Sequence, residues 1–90
     1  MKFRKKPVVI DAWPVRELVR NAMGNWHALP AEVRAAYDEG KILFLHHGMT
    51  IKTLEGDHLG ELDDMLIRGV AGEFYPCKPQ IFAATYELPE

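Results

Sequence analysis

The alternation of apolar and polar positions divides the chain into one early strand, two helices and a run of short strands. Pro7 to Trp13 is rich in β-branched and aromatic residues (Val8, Val9, Ile10, Trp13), broken only by Asp11, and reads as a strand buried on at least one face. Pro14 stands where a first helical turn tolerates proline. Behind it Val15, Leu18, Val19, Ala22 and Met23 recur at the i, i+3, i+4, i+7, i+8 spacing of one helical face, with Arg16, Glu17 and Arg20 opposite and Gly24 or Asn25 as the stop. A second helix is signalled by Pro30, by Glu32 in the first turn, by the stripe Leu29, Val33, Ala36 and Tyr37, and by Gly40 closing it. Trp26 and His27 fall in the bend between the helices, where Trp26 is predicted to cap the core.

After Gly40 the period changes from helical to extended. Ile42 to Leu45 is an apolar run, Gly48 punctuates, and Met49, Ile51 and Thr53 alternate with Thr50, Lys52 and Leu54, which predicts a hairpin. Glu55-Gly56 reads as another turn. Met65 to Ile67, Glu73 to Tyr75 and Ile81 to Tyr86 read as further strands between Gly69, Gly72, Pro76 and Pro79, with Phe82, Ala84 and Tyr86 on one side of the last. This order predicts a single α+β domain over residues 1–90: a mostly antiparallel sheet of about five to six short strands, with a two-helix insertion after the first strand. If the last strand lay open at the sheet edge, two copies would pair there as a homodimer.

Composition adds little pull toward any partner class. The chain has 90 residues, 48% hydrophobic and 27% charged, enough for one self-sufficient core and too few for two. The formal net charge is −2 and unevenly spread. Lys2, Arg4, Lys5 and Lys6 make a basic start, while Glu55, Asp57, Glu61, Asp63 and Asp64 make an acidic stretch. That balance argues against nucleic acid as a partner and assigns the basic start to solubility. The apolar runs are too short for a membrane span or a signal peptide, and the single Cys77 fits a reducing compartment, so the expected location is the cytoplasm, with no membrane partner.

No catalytic constellation is legible, and the expectation is a non-enzymatic chain without cofactor or metal. His46, His47 and His58 invite a metal reading with Asp57, but adjacent histidines on a strand point to opposite faces and no paired-ligand spacing is present. Cys77 sits in Tyr75-Pro76-Cys77-Lys78-Pro79, where the lysine would activate an exposed thiol; a buried, inert cysteine is the simpler reading, because no base can be placed beside it. The acidic stretch lacks calcium-loop spacing and reads as a solvated turn. Most remains to be explained in Ile67 to Tyr75. Arg68 and Glu73 flank a glycine-bounded turn and are placed to face each other as a cross-strand ion pair. Beside Tyr75 and Lys78 they would instead line a pocket for an anionic or nucleobase-bearing ligand, with Arg68 and Lys78 on the charge and Tyr75 stacking.

The same residues carry a resemblance. The opening MKFRKKPVVIDAW, the central TLEG at Thr53 to Gly56 and LIRGVAGEFYPCKPQIFAATYE from Leu66 to Glu87 resemble a family of small tailed-phage and prophage proteins of unassigned function. Residues 14 to 40, about the helical hairpin, correspond to that family's variable region. The family carries a Pro-Gly-Asp-Trp turn before its LIRG segment; here the sequence is Leu62-Asp63-Asp64-Met65, so Asp64 matches the aspartate while the glycine and tryptophan are absent. The resemblance implies a bacteriophage accessory protein in the host-cell cytoplasm and brings no activity. Two roles follow from it. One is a protein-interaction module that binds a host or phage protein through a sheet edge or the variable helices. The other is a domain that binds or sequesters a small anionic ligand, such as a nucleotide signal, against host defence. The candidate residues for ligand or partner are Arg68, Glu73, Tyr75, Lys78 and Asp64.

Overall fold

The computed structural model describes residues 1–4 and 7–89, so Lys5 and Lys6 of the basic start lie outside the described residues. The chain is mixed α and β. β1 (Asp11–Pro14) runs into α1 (Val15–Gly24), a 3-10 turn (Trp26–Ala28) and α2 (Ala31–Asp38); β2 (Ile42–Leu45), β3 (Gly48–Thr53), β4 (Gly56–Glu61), β5 (Met65–Arg68) and β6 (Phe74–Cys77) follow, and α3 (Pro79–Thr85) ends it. The strands form two three-stranded antiparallel sheets rather than one, in the orders β1-β5-β6 and β2-β3-β4.

The two-helix insertion lies where its periodicity puts it. Val15, Leu18 and Val19 of α1 and Val33 and Ala36 of α2 are buried, and they meet Ile42, Met49, Ile51, Leu66 and Phe74 in one core. Trp26 packs edge-on to Tyr37 at 4.9 Å and to Phe44 at 6.0 Å and caps the end of that core. Met23 is more than half exposed, so the stripe of α1 ends a turn before its last apolar residue. The link from β1 to α1 is rigid: Val15 N–H donates to the Asp64 carbonyl at 3.0 Å, which pins the helix start to the β4–β5 turn.

Three expectations are corrected. The first strand covers Asp11–Pro14 and not Pro7–Trp13, because its partner β5 ends at Arg68, opposite Asp11, where the chain turns at Gly69. Of the acidic stretch, Asp57 and Glu61 belong to a strand, β4, held in register along the whole of β3 from Gly48↔Glu61 to Thr53↔Gly56, while Glu55, Asp63 and Asp64 stand in the turns at its two ends. Its entry is a tight turn in which Gly56 takes φ +115 and Thr53 Oγ1 donates to the Gly56 carbonyl at 2.8 Å. The segment Ile81–Tyr86 is helix α3 instead of a last strand. Pro79 presets the first helical turn, and the i, i+4 spacing stacks Phe82 on Tyr86 at 5.3 Å. An edge-paired dimer through a last strand is thereby removed.

Glycine at position 60 lets α1 approach β4 closely, since a Cβ there would meet Ile51, Met49 and Val15 side chains at 3.2 to 3.5 Å. Among the described residues, no helix is long and apolar enough to cross a membrane.

Candidate functional site

The five residues singled out by sequence separate into three local arrangements. Asp64 and Lys78 come together. Asp64 is only 2% exposed, and its carboxylate accepts the Glu61 N–H at 2.9 Å while its own N–H donates to the Glu61 carbonyl at 2.9 Å. The Lys78 ammonium reaches both acids, 3.0 Å from Glu61 and 3.2 Å from Asp64. Hydrogen bonds to Glu61 and then Asp64 push the Lys78 amine above its ordinary value. The result is a clasp that ties the end of β4 and the β4–β5 turn to the end of β6. A buried carboxylate is tolerated there because backbone donors and one cation saturate it.

Arg68 and Glu73 do not pair. Arg68 stands opposite Phe74 in the ladder, one position from the register an ion pair with Glu73 needs. Glu73 instead folds back over its own turn and accepts the Ala71 N–H at 3.0 Å, in the space that a side chain at Gly69 would occupy. Gly72 closes the turn at φ +82, with the Arg68 guanidinium lying over it.

Tyr75 is the third case. It pairs with the buried Ile67 across β5 and β6, so both side chains stand on the same face, and its hydroxyl lies 3.3 Å from that of Tyr86 beyond the end of α3. Burial first, and the Tyr86 contact second, raise the Tyr75 phenol well above its ordinary range. Burial also raises the Cys77 thiol, which makes it a poor nucleophile at neutral pH. His46 and His47 form the β2–β3 turn, whereas His58 lies opposite Ile51, about 10 Å further along β3. Among the described residues, no three His, Cys, Asp or Glu side chains cluster as a metal ion would need.

Two surface features escaped the sequence reading. The first is a groove of about 1070 Å³ between the β3–β4 hairpin and the β5–β6 hairpin. Lys52, Asp57 and His58 line one wall, Glu73, Tyr75 and Pro76 the other. Of the five candidates, Glu73 and Tyr75 reach it, while Arg68, Lys78 and Asp64 are not among its lining residues. The second is the outer face of the β2-β3-β4 sheet. Leu43, Thr50 and Leu59 form one cross-strand row there, and Leu43 is 55% and Leu59 46% exposed. Leu45 stands in the next row with Glu61; Lys41, Lys52 and Asp57 form the row on the other side. The available signal was the alternation Asp57, Leu59, Glu61, hidden by glycines and acids of low strand propensity.

No protein-family model, curated protein or solved structure matches this chain.

Proposed function

We propose that the chain is a non-enzymatic interaction module of a bacteriophage or prophage, acting in the host-cell cytoplasm on a host or phage protein. The observation that carries this reading is the Leu43-Thr50-Leu59 row. A sheet that buries one face ordinarily presents polar residues on the other. Here two leucines sit across the middle strand at about half exposure, flanked by Lys41, Lys52 and Asp57 on one side and by Leu45 and Glu61 on the other, an apolar centre with charges at its rim. The resemblance to small phage proteins agrees with it.

The test is capture from phage-infected cells with the wild-type chain and with a Leu43→Ser/Leu59→Ser variant. A protein retained by the first and lost from the second, at unchanged melting temperature, supports the reading. Equal capture by both contradicts it.

A second reading is favoured by the groove. Lys41, Lys52 and Tyr75 line it beside Glu55, Asp57 and Glu73, so a small anionic ligand such as a nucleotide would place its charge on the lysines and its base on the ring, clear of the acids. Native mass spectrometry after incubation with an extract of infected cells separates the readings. A discrete mass increment lost in Lys52→Ala favours the ligand, and an unchanged mass favours the protein partner.

A further inference from the structure

Every edge strand has outward backbone groups, and those of β4 are the most exposed. In an antiparallel ladder, bonding to a given neighbour alternates along the strand. The bond from Gly69 N–H to the Glu73 carbonyl sets that alternation for β5 and β6: Tyr75 and Cys77 face β5, so Phe74 and Pro76 face outward. Pro76 has no N–H to offer there. By the same alternation β5 bonds to β1 through Asp11 and Trp13, which leaves Ala12 and Pro14 outward, again with a proline. The bond from Lys52 N–H to the Lys41 carbonyl does the same for the other sheet. On β2 the outward groups belong to Ile42 and Phe44, and Ile42 is 2% exposed.

β4 differs. Its outward residues are Asp57, Leu59 and Glu61, and Glu61 already has both its N–H and its carbonyl bonded to Asp64. Asp57 and Leu59 keep theirs free, on a strand whose residues are exposed but for Gly60. Asp57 lies in one wall of the groove, across from Phe74 to Pro76, and Leu59 follows it along the same edge.

The same molecule holds an exposed segment of high strand propensity. Pro7 to Ile10 precede β1 outside any strand, and the β-branched Val8 and Val9 are 46% and 77% exposed. The sequence before it is basic (Lys2, Arg4, Lys5, Lys6), and the groove is lined by three acids, Glu55, Asp57 and Glu73, against Lys52 and a Lys41 already paired with Glu39. Val8 and Ile10 have the two-residue spacing of Asp57 and Leu59.

We propose that residues 7–10 of one chain add as a strand to the open β4 edge of a second copy, so that two chains exchange arms around a two-fold axis. Each arm runs along the partner's groove and satisfies the N–H and carbonyl groups of Asp57 and Leu59, while its basic charge is attracted by Glu55, Asp57 and Glu73. This uses the edge of β4 and not the leucine face, so it stands independently of the proposed partner protein.

Sedimentation equilibrium of the full chain tests it. The wild type is expected to be a dimer whose affinity falls as salt rises. Val8→Pro/Val9→Pro, which removes arm donors on either side, should weaken the dimer about tenfold or more by loss of backbone hydrogen bonds. A wild type that stays monomeric at roughly 0.1 mM, a concentration that fills even weak sites, overturns the proposal. So does a diproline variant that dimerises equally. Cysteine pairing identifies the contact in a Cys77→Ser background. A chain with Val8→Cys or Val9→Cys, mixed with a tagged Leu59→Cys chain and oxidised, should give the mixed disulfide from one of the two arm positions. Predominant self-linking of Leu59→Cys would mean face-to-face packing of the leucine rows and would contradict arm exchange.

Discussion

Both sheets are three-stranded and antiparallel, yet each edge of one carries an outward proline and the β4 edge of the other does not. In the β1-β5-β6 sheet the edges carry Pro14 and Pro76, the core face meets Phe74 and Leu66, and the opposite face holds a buried Ile67 with Tyr75 touching the C-terminal segment at Tyr86. Its polar residues are spent on holding the chain: Asp64 and Lys78 on the clasp, Glu73 on its turn. The β2-β3-β4 sheet is covered by α1 and α2 on one face only. Its other face shows Leu43 and Leu59, and one edge shows the backbone of Asp57 and Leu59. On the proposed function the first sheet is the frame and the second the contact surface, in place of the Arg68 to Lys78 segment to which the sequence motif drew attention.

Substitutions break this comparison in a definite order. Leu66→Ala in the first sheet removes a side chain with no exposure and should cost about 2–5 kcal/mol, read from the urea midpoint. Asp64→Ala should cost about 1–3 kcal/mol, because the part-buried Glu61 N–H loses its acceptor and Lys78 loses one of its two carboxylates. A cost near zero there would mean that the clasp is not part of the frame.

Alkaline pH should weaken the first sheet selectively. The folded values of Tyr75 and Lys78 are both raised. Their contribution is therefore complete below the unfolded values, 10.0 for tyrosine and 10.5 for lysine, and is lost as pH rises past these toward the folded ones. Denaturant midpoints followed from neutral pH to about pH 11 should fall more steeply for the wild type than for Tyr75→Phe, since phenylalanine has no proton to lose. Parallel curves would remove Tyr75 from the account. The smallest effect is expected in the second sheet. Leu43→Ser should change stability by no more than about 0.5 kcal/mol, as for other surface positions, and a larger loss would show that Leu43 is part of the core after all.

The helices were legible because Val15, Leu18, Val19 and Val33, Ala36 keep one strict period and bury it. The β2–β3 hairpin was legible for the same reason, with a period of two. β4 was hidden because Asp57, Gly60 and Glu61 are poor strand formers whose conformation is imposed by β3 and the Gly56 turn. α3 was misread because Ile81, Phe82 and Tyr86 satisfy an extended pattern and a helical one equally, and Pro79 decides between them. Of the candidate site, the prominence of Asp64, Lys78 and Tyr75 was visible in the sequence. Their partners were not, since Glu61 and Tyr86 come from elements whose type the sequence hid.

Amide hydrogen exchange on the free chain and on the complex captured from infected cells tests the division most directly. The account predicts slowed exchange within residues 42–61 and unchanged exchange in 65–78. Slowing confined to 65–78, with 42–61 unchanged, would contradict it and return the function to the segment between Arg68 and Lys78.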